Sequence, residues 1–151
     1  MKLQEAIELN KEIKHHIKGL YIVGSLRIKE EEIDYLDYIT KRDLNDVFKD
    51  FDNWNNGNIQ IIREGNLYIS FYLTGIEWVK IDIWRARDIY EYDFLKVLRS
   101  MDKGHNIWLR LKAISHGYKL SDRGMTKIDN DEKIAIKNKK DLYKYINGKL
   151  D

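Results

Sequence analysis

The stretch IVGSLRIKEEEIDYLDYIT, residues 22–40, decides how the chain is read. An apolar run stops at Gly24-Ser25. An acidic run of Glu30, Glu31, Glu32 and Asp34 follows, and a second apolar run then carries Asp37 in its middle. Residues 20–23 and 35–40 read as two short strands. A carboxylate inside an apolar strand is costly unless something pairs with it. Asp37 therefore asks for a partner, and a divalent cation would be one.

Further along, VKIDIW (79–84) supplies a second carboxylate of the same kind. Strand alternation puts Val79, Ile81 and Ile83 on one face and Lys80, Asp82 and Trp84 on the other. Tyr35, Asp37 and Ile39 share a face of the earlier strand. If the two strands are neighbours, Asp37 and Asp82 converge. Hard oxygen ligands suit Mg²⁺ or Mn²⁺, completed by waters and substrate phosphates, and two such ions can clamp an in-line phosphoryl displacement. Gly24-Ser25, at a strand end, offers backbone N–H groups and a hydroxyl to a phosphate. Arg27 and Lys29 stand close by in sequence.

The remaining pattern is α+β. Residues 3–18 and 43–54 have helical apolar spacing. NNGN (55–58) marks a turn, and the runs 59–62, 67–73 and 78–84 read as an antiparallel meander. From about residue 88 the chain turns helical. DIYEYDFLKVLRSM and HNIWLRLKAISHG form two helices divided at Gly104, YKLSDRGMTKID a hairpin, and NKKDLYKYING a last helix. The expected organisation is a catalytic lobe over 1–87, with a mixed sheet and flanking helices, and a small, mostly helical lobe over 88–151.

Bulk composition bounds the function. With 151 residues, 34% charged and 43% hydrophobic, the chain can bury a real core. The absence of Cys excludes disulfides and Cys-based zinc sites. No apolar run approaches the roughly 20 residues that span a bilayer, so no membrane partner is expected. No secretory signal is visible, so a cytoplasmic setting is expected (the host cytoplasm if the chain is viral), and the protein is expected to be a monomer. Residues 1–95 hold 13 Lys and Arg against 18 Asp and Glu, whereas residues 96–151 hold 14 against 7. An acidic half beside a basic half suits a metal-binding catalytic lobe joined to a lobe that holds a polyanion.

These motifs resemble the nucleotidyltransferases built like DNA polymerase beta, and among them the compact viral members of DNA polymerase family X that have only a palm and a thumb. The family pattern is an apolar strand, Gly-Ser, a spacer, then Asp-x-Asp in an apolar strand. VGSLR fits it, Asp37 falls where the second Asp belongs, and KIDIW resembles the strand bearing the third Asp, here Asp82. NIWLRLKAISHGYKLSDRG resembles the helix and hairpin of the thumb. The likeness covers roughly residues 20–148.

The resemblance implies a minimal DNA polymerase that extends a primer 3′-OH in gapped or nicked duplex DNA from nucleoside triphosphates, with two Mg²⁺ or Mn²⁺ ions. It implies Asp34, Asp37 and Asp82 as catalytic metal ligands. It implies Gly24, Ser25, Arg27, Lys29, Asn106 and Arg110 on the nucleotide, and Lys80, Lys112, Lys119 and Arg123 on DNA. Asn106 and Arg110 lie four apart on one helix face, which Ile107, Leu111 and Ile114 are expected to seat.

The departures are specific. Strict spacing puts Tyr35, not an Asp, at the first position of Asp-x-Asp. Asp34 is one residue early, and the expectation is a bulge between 34 and 37 that brings it to the site; the rival is a solvated Asp34 and a two-carboxylate site. Ile28 stands where the family often has a second basic residue. LRSMDKG stands where it has Tyr-Phe-Thr-Gly. The alternatives are template-independent transfer to RNA ends, protein or a small molecule, and a nucleic-acid-binding protein that kept the fold and lost catalysis.

Overall fold

The computed structural model describes residues 1–75, 78–101 and 103–147; of 103–106 it describes the backbone alone. It divides into two compact units, Met1–Arg85 and Ala86–Asp151. Among the described residues no helix is long and apolar enough to cross a membrane.

The first unit is a five-stranded mixed sheet with helices. Its elements are α1 (Leu3–His16), β1 (Tyr21–Val23), α2 (Gly24–Ile28), β2 (Tyr35–Thr40), α3 (Leu44–Trp54), β3 (Ile59–Arg63), β4 (Tyr68–Leu73) and β5 (Val79–Arg85). The strand order is β1-β2-β5-β4-β3. Among the described residues β2 and β5 are the one parallel pair; β1 pairs β2 antiparallel, and the meander β3-β4-β5 is antiparallel as its turn residues require. One sheet face is apolar because Leu36 and Tyr38, Ile81 and Ile83, and Ile69 and Phe71 alternate onto it, all buried. Both long helices cover that face. The Tyr38 hydroxyl donates to Asn10 of α1 at 2.8 Å, and Phe71 packs edge-on against Phe48 and Phe51 of α3. α3 starts where Asp43 accepts from the Asn45 N–H at 2.9 Å, a side-chain cap for an orphan donor. With its core on one face, this sheet leaves the other for polar chemistry.

The second unit holds α4 (Ile89–Leu98), α5 (Lys103–Ser115), β6 (Tyr118–Leu120), β7 (Met125–Lys127), β8 (Lys133–Ile134) and α6 (Lys139–Asn147). Gly104 falls inside α5 rather than dividing two helices. The core is Phe94 and Leu98 of α4, Leu109 and Ala113 of α5, Met125, and Leu142 and Ile146 of α6. This corrects the expected seat of α5. Ile107, Leu111 and Ile114 are 70%, 65% and 58% exposed, while Leu109 and Ala113 are fully buried. The helix carries two apolar stripes. The one with a small residue, Ala113, permits close approach to β6 and α6, which α5 contacts.

One buried carboxylate braces this unit. Glu91 accepts from the Arg87 backbone N–H at 3.0 Å and from its Nε at 2.8 Å, and pairs with Arg123 at 3.4 Å. Its own N–H donates to Asp88, the α4 cap, at 2.9 Å, and Asp88 pairs with Lys133. Burial pushes the Glu91 carboxyl up, but the hydrogen bonds from Arg87 and the charges of Arg87 and Arg123 outweigh it and hold the group below its ordinary 4.5. Glu91→Gln should therefore cost about 1–2 kcal/mol of stability near neutral pH, discounted because Arg87 is exposed. A carboxyl lowered on folding stabilises fully above its unfolded pKa and loses that contribution as pH falls through the folded one. Urea unfolding should show the gap between wild type and Glu91→Gln narrowing below a pH of about 4.5. A gap independent of pH would reject the ion-pair account.

Candidate active site

The site is set by sheet register. On the polar face, Asp37 of β2 lies directly opposite Asp82 of β5, and Asp82 lies opposite Ser70 of β4. Arg63 of β3 continues the row beside Ser70, just past an irregularity in the β3–β4 ladder. Neighbouring strands sit about 4.8 Å apart, so the two carboxylates are side by side. Both are buried, at 6% and 5% exposure. Two adjacent buried carboxylates repel, and a cation between or beside them removes that cost.

The surroundings of the pair differ on its two sides. On the β1 side, Gly24 has φ +71, and a Cβ built on it would stand 2.1 Å from Asp37 Oδ2. The backbone of the Gly-Ser turn thus passes where any other residue would overlap the carboxylate. α2 follows directly, seated by buried Leu26. On the β4 side, the Tyr68 hydroxyl donates to Asp82 Oδ1 at 2.5 Å. Burial, and then the hydrogen bond to Asp82, push the Tyr68 phenol up to about 12. The other Asp82 oxygen, Oδ2, is 3.7 Å from Lys80 Nζ, and that ammonium lies 5.8 Å over the Tyr35 ring.

Asp34 is not brought in. The β2–β5 ladder runs without interruption from Tyr35 opposite Lys80 to Thr40 opposite Arg85, so the expected bulge is absent. Asp34 stands before the strand and is exposed. The physical reason is that the regular register already satisfies Tyr35, whose ring meets Lys80, a favourable cation–π contact. A slip would also turn buried Leu36 and Tyr38 out of the core. Among the described residues no group of three or more His, Cys, Asp or Glu could hold a metal ion. The two carboxylates are hard oxygen donors, the kind a divalent cation takes, and the Gly-Ser turn packs against one of them.

The remaining expected residues are placed as follows. Arg27 in α2 and Lys29, its left-handed C-cap at φ 61, are exposed, and Ser25 is half-buried. Asn106 lies in α5, with its side chain outside the described residues. Arg110 is ion-paired with Asp122 of the β6–β7 loop. Lys112 lies 5.7 Å over the Trp108 ring, and Lys119 is exposed. Arg123 is half-buried and engaged with Glu91, so it braces the fold. Tyr68 and Ser70 were missed. The alternation of Tyr68, Ser70 and Tyr72 against Ile69, Phe71 and Leu73 puts them on one face, but only the pairing of β4 with β5 brings them to Asp82.

Residues 100–149 match the family model of the DNA polymerase beta thumb. Solved structures of Leishmania infantum polymerase beta superpose on nearly the whole chain. The ternary P/T complex aligns with TM-score 0.83 at 13% identity, over 97% of this chain and 73% of that one. The ternary gap complex aligns with TM-score 0.83 at 12% identity, over 97% and 67%. No curated protein sequence matches the chain. The α+β fold is that of polymerase beta.

Proposed function

We propose that this chain is a nucleotidyltransferase that adds a nucleotide to a primer 3′-OH in gapped or nicked duplex DNA. The observation that carries the reading is Asp37 opposite Asp82, with Gly24 packed on one carboxylate, in a polymerase beta-like fold. Asp37 and Asp82 would hold Mg²⁺ or Mn²⁺, which when bound supplies charge for the transferring phosphoryl group and for the attacking oxygen.

The chain's own residues divide the work. Asp82 orients the 3′-hydroxyl and takes up its proton or passes it to water. Lys80, beside it, steadies the primer end. Gly24 and Ser25, with Arg27 or Lys29, hold the triphosphate. Catalysis of this kind is positioning and charge stabilisation. A second ion would depend on the nucleotide's phosphates for most of its ligands, since Asp34 lies outside the pair. Tyr35 at the first position of Asp-x-Asp favours one rival, a DNA-binding protein that has lost catalysis.

Extension of a primer across a one-nucleotide gap, with each nucleotide offered singly, separates the readings. The proposal expects addition of the complementary nucleotide alone. Addition regardless of template supports the template-independent alternative, and no addition with DNA still bound supports the degenerate one.

DNA binding has its own signature. Residues 96–151 carry 14 Lys and Arg against 7 Asp and Glu, with Lys112 and Lys119 exposed. Contact with about 4–6 phosphates should give a slope of log K against log salt of magnitude ~4–5, without sequence preference. A flat salt response measured by fluorescence anisotropy would remove DNA as the partner.

A further inference from the structure

We propose that Tyr68 is a positioning residue that fixes the Asp82 carboxylate for cation binding. The inference rests on the nucleotidyltransferase reading of Asp37 and Asp82. Tyr68 follows the REGN linker, and nothing in its local sequence marks it as functional. Its place comes from the β4–β5 register. Tyr68 lies opposite Trp84, one alternate residue beyond Asp82 on the same face, so its side chain reaches Asp82 along the diagonal.

Three observations make it more than a packing aromatic. The hydroxyl donates to Asp82 Oδ1 at 2.5 Å, at the short end of charge-assisted O–H···O⁻ contacts. The ring is clamped, with its centroid 5.1 Å from that of Trp84 and the Arg63 guanidinium 5.8 Å over it. And Asp82 is 5% exposed, so its carboxylate depends on donors that the protein supplies.

An aspartate carboxylate rotates in a broad, soft well about its last torsion. A site with two protein carboxylates rather than three has less to hold a cation in place, so the plane of each carboxylate matters more. Tyr68 occupies one lone pair of Oδ1 and fixes the plane. It leaves the second lone pair of Oδ1 for a cation, as well as Oδ2, which has the Lys80 ammonium 3.7 Å away. Ligating carboxylates are commonly braced in this way, and removing the brace typically costs 10–100-fold in metal affinity or activity.

Tyr68→Phe tests this, because it deletes the hydroxyl and keeps the ring on Trp84. Mn²⁺ alone, without nucleotide or DNA, is titrated into the full chain, and free Mn²⁺ is followed by paramagnetic resonance. Wild type is compared with Tyr68→Phe, Asp82→Asn and Tyr72→Phe, the last removing a phenol opposite Lys80 on the same face. Thermal melting checks that each variant is folded. The expected result is Mn²⁺ affinity about 10–100-fold weaker in Tyr68→Phe, unchanged within a few-fold in Tyr72→Phe, and lost in Asp82→Asn. In gap filling, Tyr68→Phe should lower kcat with little change in the KM for nucleotide. Mn²⁺ binding at wild-type strength in Tyr68→Phe, with Asp82→Asn losing it, would reduce Tyr68 to packing and leave the site standing. Mn²⁺ binding undiminished in Asp82→Asn would overturn the site and the positioning role together. Should Tyr68→Phe melt early, Trp84→Phe loosens the clamp and keeps the hydroxyl. It should weaken Mn²⁺ binding by a smaller factor, and an unchanged affinity in that variant would equally reject the clamp.

Discussion

Asp37→Asn and Asp82→Asn should each lower the rate of single-nucleotide gap filling by at least ~10²-fold, about 3 kcal/mol of transition-state stabilisation. Asn keeps the shape of Asp and removes the charge. The two carboxylates lie side by side across the β2–β5 ladder, both buried, and a cation held there relies on both. Folding should survive, because relieving repulsion between neighbouring carboxylates is neutral or mildly stabilising in the cation-free protein. Asp34→Asn is the matched comparison. Asp34 is exposed and stands before the strand, so turnover should stay within a few-fold of wild type. Single-turnover kinetics on gapped DNA measures all three. An Asp34→Asn loss as deep as that of Asp37→Asn would show that the acidic run joins the site in the working enzyme.

Gly24→Ala should come next in size. A Cβ there would stand 2.1 Å from Asp37 Oδ2 and 3.0 Å from its Cγ, so the carboxylate must turn away or the turn must shift. The backbone at φ +71 adds a left-handed penalty of about 1–2 kcal/mol for any L side chain. Displacing a catalytic group by about 1 Å can cost ~10²-fold in rate, and a loss of that order is expected. Gly57→Ala separates the two causes. Gly57 has φ +78 but nothing within 4 Å of its added Cβ, so it should lose stability and keep activity. Melting temperature and gap-filling rate, read on both variants, distinguish them. Equal activity loss in both would mean that backbone strain, not the overlap with Asp37, is responsible.

Much of this site was legible because β-alternation is strict. Leu36 and Tyr38 flank Asp37, and Ile81 and Ile83 flank Asp82, so alternation turned both carboxylates away from the apolar face before any pairing was known. The pairing itself needed tertiary information, since nothing local says that β5 returns beside β2 in parallel. The misplaced expectation, a bulge at 34–37, came from fitting this chain to Asp-x-Asp. The register is decided instead by Leu36 and Tyr38 filling the core and by Tyr35 meeting Lys80. In α5, period 3.6 offered two apolar stripes, and helical spacing alone cannot rank them. The choice of Leu109 and Ala113 depends on how closely α6 and β6 approach. Tyr68 was invisible for a related reason: its role lies on a diagonal between two strands, which no single-strand pattern contains.

The central claim is that Asp37 and Asp82, without Asp34, form the cation site of a nucleotidyl-transfer centre. Anomalous scattering from crystals soaked in Mn²⁺ with a nucleoside triphosphate tests it directly. The account predicts an anomalous peak within coordination distance of both Asp37 and Asp82, on the Gly24 side of the sheet, with the triphosphate completing the ligands. A peak on Asp34 and the neighbouring Glu residues, or no peak at the pair in crystals that hold the nucleotide, would contradict it.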